Sequence, residues 1–290
     1  MTDRSKKISE IVTQSVYKSC ITEINAFKPG NVSIHSAGHG MEAKDFIRSA
    51  ELISPVMGMP DLSVGERILQ SVQLTMSQVG CNTNLGIILL AAPLAQAAFV
   101  KKESEFIQQT IFSILNNLSV NDATLTFEAI ELANPGGLGS AESHDVRKPA
   151  TVNLLEAMQA AQERDRIAWQ YSHGFKDVFE SGISALRMQL LRWKNIDKRL
   201  EWSTVACYLN FLSKFPDSHI VRKHGIEKAE QVSEHAKKIE KMFLSGADPT
   251  VAKAQLQDYD DTLKREGINP GTSADLTVAS LIALSLEALL

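Results

Sequence analysis

The sequence predicts an all-α protein, a single large multi-helix bundle of residues 1–290 built around one central apolar helix. Two observations carry this prediction. Apolar residues recur at helical spacing along nearly the whole chain, and the sequence contains no convincing strand pair, internal repeat or low-complexity segment. The stretch from Cys81 to Val100 is apolar on every side, and such a helix is normally surrounded by other helices.

The central stretch begins with a polar head. Asn82, Thr83 and Asn84 place amide and hydroxyl groups at a helix start, where free N–H groups and a partial positive charge favour a bound anion. The same residues are ordinary helix caps, which is the simpler interpretation of this segment taken alone. Pro93 interrupts the run and is expected to kink the helix or divide it near Ala91–Ala92.

Amphipathic helices are predicted on both sides of this centre. Before it, the apolar spacing indicates helices over about 7–26 and 44–53, and a third that opens at the capping box of Ser63 and Glu66. After it, helices are predicted over about 106–118, 121–133, 151–169, 175–193, 202–212, 218–224, 226–244 and 249–265, and an apolar helix from 276 ends the chain.

Two loops break the helical pattern. The first, 134–149, has three glycines between two prolines, and a loop this long inside a helical protein is uncommon unless it binds something. The second, 267–275, is also rich in glycine and proline and leads into the terminal helix.

The composition excludes several classes of protein. With 22% charged residues and a net charge of -4, the chain has no overall basic field for nucleic acid or an anionic membrane. Cys20, Cys81 and Cys207 are isolated, which argues against a disulfide framework or a structural zinc site. The charged N-terminus has no apolar signal core, and the apolar C-terminal run is short and carries Glu287, which favours a buried helix over a membrane span. We therefore expect a soluble, cytoplasmic protein that binds neither nucleic acid nor membrane.

Five polar clusters lie at helix starts or in the loops before them. They are 28–39, 82–86, 136–147, 217–223 and 269–275, and all mix small residues with Asn, Asp, Lys, Arg or His. If several of these helix N-termini converge, they form a pocket of N–H donors and cations suited to a polyphosphate, with carboxylates to hold magnesium. Taken singly, each cluster is also explained by capping and turn preferences. Two clusters exceed that explanation: 136–147 by its length, and 217–223 by placing an acid and two bases within two turns.

Three other patterns carry less weight. The His144-Asp145 dipeptide resembles that of helical HD phosphohydrolases, but so short a motif arises easily by chance. His35 and His39 are four residues apart, yet glycines surround them, which disfavours a metal-binding helix. The acidic run of Asp258, Asp260 and Asp261 lies on a charged helix and is expected to be solvated.

The polar clusters contain a set of motifs that can be compared with known families. They are Lys28-Pro29-Gly30-Asn31-Val32, Asp45-Phe46 with Ser49-Ala50, Asn82-Thr83-Asn84-Leu85-Gly86, Asp217-Ser218 with Arg222-Lys223-His224-Gly225, and Asn269-Pro270-Gly271-Thr272-Ser273-Ala274-Asp275-Leu276. Together they resemble the triphosphoribosyl-dephospho-CoA synthase family, all-helical enzymes that make the prosthetic-group precursor of citrate lyase and malonate decarboxylase. The resemblance spans nearly the whole chain, and the last motif is the most specific.

One part of the chain resembles a particular branch of that family, found in archaea and methylotrophic bacteria. It comprises 135–147, Asp165, Gln170-Tyr171 and 175–179. In methylotrophs such proteins are associated with the tetrahydromethanopterin pathway. The resemblance therefore implies the fold and a nucleotide-type ligand and leaves the acceptor open.

The resemblance implies a transferase that moves the triphosphoribosyl group of ATP to a hydroxyl of dephospho-CoA and releases adenine. Breaking the N-glycosidic bond gives the ribose carbon oxocarbenium character, so the reaction requires a carboxylate near that carbon, a base for the hydroxyl and a donor to adenine. Two alternatives stay open. One is a related nucleotide- or phosphoribosyl-using enzyme of tetrahydromethanopterin or other C1-carrier biosynthesis, and the other is a non-catalytic helical protein that binds a nucleotide or a partner protein.

The resemblance also assigns roles to residues. Catalysis and the binding of Mg²⁺ are assigned to Asp145, Asp217 and Asp275. Nucleotide and phosphate binding are assigned to Lys28, Asn82, Thr83, Asn84, Gly86, Arg147, Ser218, Arg222, Lys223, Asn269 and Gly271. ATP is then the substrate and Mg²⁺ the cofactor, since magnesium neutralises the triphosphate. The expected partner is a small-molecule nucleotide, and a homodimer is left open.

Overall fold

The computed structural model describes residues 2–139 and 143–290, and over these ranges the protein is all-α, as predicted. The first helices are α1 Asp3–Asn25, α2 Ala43–Met57, α3 Val64–Gln78, α4 Leu85–Val100, α5 Ile107–Asn116, α6 Val120–Ala133 and α7 Leu154–Ala161. The others are α8 Arg166–Ser172, α9 Ile183–Arg192, α10 Arg199–Lys214, α11 Ser218–His224, α12 Ile226–Ser245, α13 Lys253–Arg265 and α14 Gly271–Leu289. A π-helical segment, Asp177–Gly182, precedes α9, and a 3₁₀ turn, Pro249–Ala252, precedes α13. Residues 140–142 of the predicted 136–147 cluster lie outside the described ranges.

Helix α4 lies at the centre of the larger of two apolar cores, as the sequence predicts. Helices α1, α2, α3, α5, α8 and α14 pack against it, and most of its residues are buried. Helix α14 shares this central position, because it packs on α1, α4 and α10. Its length and composition would also suit a membrane span, but most of it is buried inside the protein, as expected for a core helix.

Pro93 does not divide α4, which runs without a break from Leu85 to Val100. A proline inside a helix removes the N–H that would bond the carbonyl four residues earlier, here that of Leu89. The buried Tyr171 hydroxyl donates to this carbonyl at 2.6 Å. Of the two predicted outcomes, division of the helix was therefore wrong, since a side chain from α8 pairs the carbonyl that the proline leaves without a partner; a kink stays a prediction.

The second core lies between α10, α12 and α13 and anchors the 29–31 loop. The Tyr208 hydroxyl donates to the carbonyl of Pro29 at 2.6 Å, and the backbone N–H of Gly30 donates to Asp260 Oδ1 at 2.7 Å. Asp260 is fully buried and also accepts from the Ser36 hydroxyl at 2.7 Å. The expectation of a solvated acidic run was therefore wrong at this position, because the loop folds over α13 and uses the carboxylate.

Several helix N-termini meet on one side of the bundle. Asp165 caps α8 by accepting from the N–H of Ile167 at 2.8 Å, and Asp217 caps α11 by accepting from the N–H of His219 at 2.9 Å. Helix α14 begins at Gly271, five residues before the predicted start, so most of the last motif is helical rather than a loop. These starts and the start of α4 surround one cleft.

Helices α3 and α6 cross closely at Gly65. A Cβ placed on Gly65 would lie 2.7 Å from the Cα of Asp122 and 2.9 Å from its carbonyl oxygen. The N–H of Gly65 donates to Asp122 Oδ1 at 2.8 Å, and Asp122 also belongs to the capping box that starts α6. The absence of a side chain at Gly65 therefore sets the distance between the two helices.

We expect Gly65→Ala to lower the free energy of unfolding by about 1–3 kcal/mol, because the added methyl group would meet backbone atoms that cannot move alone. An alanine inside an uncrowded helix would instead stabilise by roughly 0.5–1 kcal/mol, so the sign of the change is informative. Urea unfolding followed by circular dichroism measures it. Gly246→Ala is the control, since Gly246 has a φ of -77° and a Cβ there would lie 3.3 Å from its nearest atom. A Gly65→Ala protein as stable as that control would contradict the close crossing.

Candidate active site

A cleft of about 460 Å³ opens where α4 and α14 begin. Its volume lies within the range of roughly 300–1,000 Å³ that is typical of small-molecule sites. Helices α6, α7 and α8 contribute apolar side chains, and α11 and the loop that follows α6 contribute polar ones. Most of the residues assigned from the sequence line this cleft: Asn82, Thr83, Asn84, Gly86, Arg222, Lys223, Asn269, Gly271 and Asp275.

Asp275 is the carboxylate at the floor of the cleft. It accepts no hydrogen bond from any of the described residues, and it lies on the second turn of α14, beyond the reach of its free N–H groups. Burial raises the pKa of Asp275 well above its ordinary value, and the negative charges of Asp217 and Glu23 raise it further. Asp275 is therefore a carboxyl group with a high proton affinity that remains partly exposed to the cleft.

Gly86 makes room for this carboxylate. A Cβ on Gly86 would lie 2.0 Å from Asp275 Oδ2 and 2.7 Å from Ile167 Cδ1. The first turn of α4 therefore contacts the carboxylate directly with its backbone. The glycine in the Asn82–Gly86 motif is explained by this close approach, which the sequence alone does not show.

Amide side chains surround the two helix starts. Asn82 Oδ1 accepts from the N–H of Leu85 at 3.1 Å, which caps α4. The side chain of Asn84 is nearly buried and makes no hydrogen bond to a described residue. Asn31 Nδ2 donates to Asn269 Oδ1 at 2.8 Å, so that the Asn269 amide is held by Asn31. The cleft thus keeps amide groups that can bind the polar edge of a ligand.

Cationic and imidazole groups form the polar wall. Arg222 Nη1 donates to Asp165 Oδ2 at 2.7 Å, and Lys223 is exposed and forms no ion pair with the residues that the structure describes. Burial lowers the pKa of His219 to about 3, and the positive charges of Arg222 and Lys223 lower it further. His219 is therefore neutral at physiological pH, and the positive charge on α11 at the cleft comes from Arg222 and Lys223.

Lys28 does not line the cleft, contrary to its assignment as a phosphate ligand. The side chain is fully buried, and its ammonium group donates to the carbonyl oxygens of Glu23 and Val32, each at 2.9 Å. It also lies 3.2 Å from Glu23 Oε1. Lys28 therefore holds the end of α1 and the loop after it, and it contacts the cleft only through Glu23, which lines it.

Asp217 also lies below the cleft surface, and both of its carboxylate oxygens accept hydrogen bonds. Oδ1 accepts from the N–H groups of His219 at 2.9 Å and Ile220 at 3.3 Å, and Oδ2 accepts from Ser273 N at 2.7 Å and Ser273 Oγ at 2.8 Å. Burial raises the pKa of Asp217, and these four donors act in the opposite direction. Its observed contacts join the starts of α11 and α14 and leave it outside the cleft lining.

Three further assigned residues lie outside the cleft lining. Ser218 Oγ accepts from the N–H of Arg166 at 2.7 Å, which connects α11 to α8. Asp145 Oδ1 accepts from the N–H of Arg147 at 3.0 Å and lies 3.7 Å from Arg147 Nε. The Arg147 guanidinium also donates to the carbonyl of Gly139. Asp145 and Arg147 thus stabilise the turn that they belong to, whereas their neighbours His144 and Val146 line the cleft.

The structure adds cleft residues that were not assigned from the sequence. They include Glu23, His39, Arg164, Asp165 and His219, together with the apolar side chains of Leu89, Phe127, Ile130, Leu154, Ala157, Met158, Ala161, Ile167 and Ala168. His39 and His219 belong to two of the polar clusters, so the sequence contained a signal for them. Glu23 and the apolar cleft residues occupy ordinary helix positions, so the sequence contained no local signal for them.

Magnesium would have to be held largely by the substrate. Asp145, Asp217 and Asp275 do not converge, and over residues 2–139 and 143–290 no group of three or more His, Cys, Asp and Glu residues could hold a metal ion. Mg²⁺ is commonly bound by one or two carboxylates together with substrate phosphates. A cleft with one uncommitted carboxylate, Asp275, fits an ion of that kind.

Comparison with known proteins identifies relatives over most of the chain. The family model for CitG, ATP:dephospho-CoA triphosphoribosyl transferase, matches residues 9–290. A crystal structure of an Archaeoglobus fulgidus protein, provisionally described as triphosphoribosyl-dephospho-CoA synthase, is similar with a TM-score of 0.63 and 26% sequence identity. The similarity covers 83% of this chain and 99% of that one. No curated protein sequence gives a significant match.

We expect Asp217→Asn to lower the free energy of unfolding by about 1–3 kcal/mol, because an amide has one oxygen and would turn its NH₂ group toward donors of α11 or α14. Urea unfolding measures the change. Asp248→Asn is the matched control, since Asp248 is also an N-cap, bonded to the N–H of Thr250 at 2.8 Å, but is exposed. Unchanged stability of Asp217→Asn together with loss of Mg²⁺–ATP binding would instead support its assignment as a ligand.

Proposed function

We propose that this chain, which belongs to the ATP:dephospho-CoA triphosphoribosyl transferase family, transfers the triphosphoribosyl group of ATP to a hydroxyl of a dephospho-CoA-type acceptor in the cleft. The observation that carries the proposal is Asp275, a carboxylate of raised pKa at the floor of a cleft whose wall carries Arg222 and Lys223. The family supplies the reaction, and the cleft supplies groups of the kind that the reaction requires.

The reaction exchanges one bond at the ribose carbon of ATP. The bond from C1 of the ribose to the adenine nitrogen breaks, and adenine leaves with the electron pair and takes up a proton. The acceptor oxygen forms the new bond to the same carbon, and its hydroxyl proton passes to a base. We assign this base to Asp275, because a carboxyl group whose pKa is raised above its ordinary value accepts a proton more readily than an ordinary one.

The triphosphate is assigned to the polar wall. Arg222 and Lys223 supply positive charge, and the starts of α4 and α14 supply backbone N–H groups and the positive ends of two helix dipoles. Gly86 and Gly271 both line the cleft at these two starts, and their missing side chains make room for the Asp275 carboxylate and the His219 ring, respectively. Mg²⁺ is proposed as the cofactor; held largely by the substrate phosphates, it would neutralise their charge when bound.

The rest of the nucleotide is assigned to the amide groups and the apolar wall. Asn84 and Asn269 can bind the polar edge of a base or a ribose hydroxyl, and Phe127, Leu154 and Met158 can cover an apolar face. A C1-carrier intermediate as the acceptor would use the same phosphate groups, and the comparisons do not favour it. A cytoplasmic location and a homodimer also remain predictions.

The reaction is tested by incubating the purified protein with ATP, Mg²⁺ and dephospho-CoA and following free adenine and the triphosphoribosylated product by chromatography and mass spectrometry. We expect both products in equal amounts. Adenine without the second product would mean that water takes the triphosphoribosyl group, so that dephospho-CoA is not the acceptor, and tetrahydromethanopterin-pathway intermediates are then the next candidates. Binding of ATP, seen as a raised melting temperature without either product, would support a non-catalytic nucleotide-binding protein.

We expect Asp275→Asn to lower kcat by about 10²–10⁴-fold, the usual contribution of general acid–base catalysis, and to raise the melting temperature. The native state holds the proton of Asp275 more tightly than the unfolded chain does, so its ionisation lowers stability as pH rises from the ordinary carboxyl pKa to the raised one. An asparagine removes this cost, and the melting temperature should rise by about 2 °C per kcal/mol in a chain of this size. Asp261→Asn, on the exposed face of α13, is the control and should change neither quantity.

The pH profile provides a second readout for Asp275. Since the base must be ionised, kcat/KM should fall as pH decreases through the raised pKa of Asp275, at a pH above the ordinary carboxyl value of about 4. This acid limb should disappear in the residual activity of Asp275→Asn. An Asp275→Asn enzyme with wild-type turnover and an unchanged profile would contradict the assignment.

A further inference from the structure

Asp165 uses its two carboxylate oxygens for two different helices. Oδ1 accepts from the N–H groups of Ile167 at 2.8 Å and Ala168 at 3.3 Å and so caps α8. Oδ2 accepts from Arg222 Nη1, on α11, at 2.7 Å. Both side chains line the cleft, and 26% of Asp165 and 23% of Arg222 is exposed. The pair therefore lies at the wall to which the triphosphate is assigned.

Arg222 retains hydrogen-bond donors while it is bound to Asp165. Its Nη2 and Nε make no hydrogen bond to the residues that the structure describes, and Nε is buried. A guanidinium is planar, so fixing one Nη also fixes the directions of the remaining N–H groups. The side-chain freedom of Arg222 is then restricted before a phosphate group binds, which reduces the entropy lost on binding.

The two helices are also joined independently of this pair. The backbone N–H of Arg166 donates to Ser218 Oγ at 2.7 Å, which connects α8 to α11. The Arg166 guanidinium contacts the Trp169 and Phe215 rings and donates to Asp177 Oδ2 at 2.8 Å and 2.9 Å, which anchors α8 to the π-helical segment as well. Loss of the charge at position 165 would therefore free Arg222 without separating α8 from α11.

We propose that Asp165 is a positioning residue for the transfer reaction, which holds Arg222 in the orientation that receives a phosphate group of the substrate. The inference rests on the proposed function, since it takes ATP as the ligand. Charge alone predicts the opposite effect, because Asp165 is an anion beside an anionic ligand and its removal would strengthen binding. The sign of the change in affinity therefore distinguishes positioning from simple charge.

Asp165→Asn tests this inference with the full chain. An asparagine keeps an oxygen that can cap α8 and loses the charge that holds Arg222. Isothermal titration calorimetry gives the Kd of inorganic tripolyphosphate and of ATP with Mg²⁺, and steady-state kinetics gives kcat and KM. We expect both Kd values and the KM for ATP to rise about tenfold, the size expected when one long side chain must be ordered on binding, with a smaller change in kcat.

The controls separate positioning from loss of structure. In an Arg222→Gln background, Asp165→Asn should cause little further change, because the residue that it positions is absent. Asp248→Asn changes an exposed N-cap in the same way and should leave all constants unchanged. Equal or tighter binding of tripolyphosphate by Asp165→Asn overturns the inference. Failure of the wild-type protein to bind ATP or tripolyphosphate would instead overturn the proposed function and this inference with it.

Discussion

The carboxylate of Asp217 is the contact on which the geometry of the cleft depends, because it joins the starts of two helices from different parts of the chain. One oxygen caps α11, and the other accepts from the backbone and hydroxyl of Ser273 in the first turn of α14. Asp275 lies two residues after Ser273 on α14. The Asp217 contacts therefore fix Arg222 and Lys223, on α11, relative to Asp275. The relative position of the cationic wall and the floor carboxylate is therefore set by a residue that does not line the cleft itself.

The same physical requirement explains the other buried polar side chains. Each irregular backbone segment that enters the protein leaves N–H or C=O groups without helical partners, and these groups must be paired away from water. Tyr171 bonds the carbonyl that Pro93 leaves unpaired, Asp260 bonds the N–H of Gly30, and Lys28 bonds the carbonyls of the neighbouring turn. Charged and polar residues in the conspicuous motifs therefore divide between those that hold the backbone and those that face the cleft.

The sequence predicts the helices better than the roles of single polar residues. Helical periodicity identifies the bundle and its apolar centre, because core packing imposes a regular spacing over many residues. The polar clusters at helix starts identify the segments that meet at the cleft. The assignment of Lys28 to phosphate and of Asp260 to a solvated face failed, because both depend on where a loop folds over other helices. The Glu23 carboxylate and the apolar wall from α6 to α8 gave no local signal, since only tertiary packing makes them neighbours of the cleft.

The three aspartates assigned to one role show how position within a helix decides function. Asp217 is an N-cap, so its own helix offers N–H groups within reach. Asp145 lies in a turn and bonds the N–H of Arg147 two residues later. Asp275 is five residues into α14, where each backbone N–H is already bonded within the helix, so no local donor is available to its carboxylate. Its burial near other carboxylates then raises its pKa instead of being compensated. Because α14 starts at Gly271 rather than at Leu276, Asp275 is not an N-cap residue. Its carboxylate is therefore chemically distinct from those of Asp217 and Asp145.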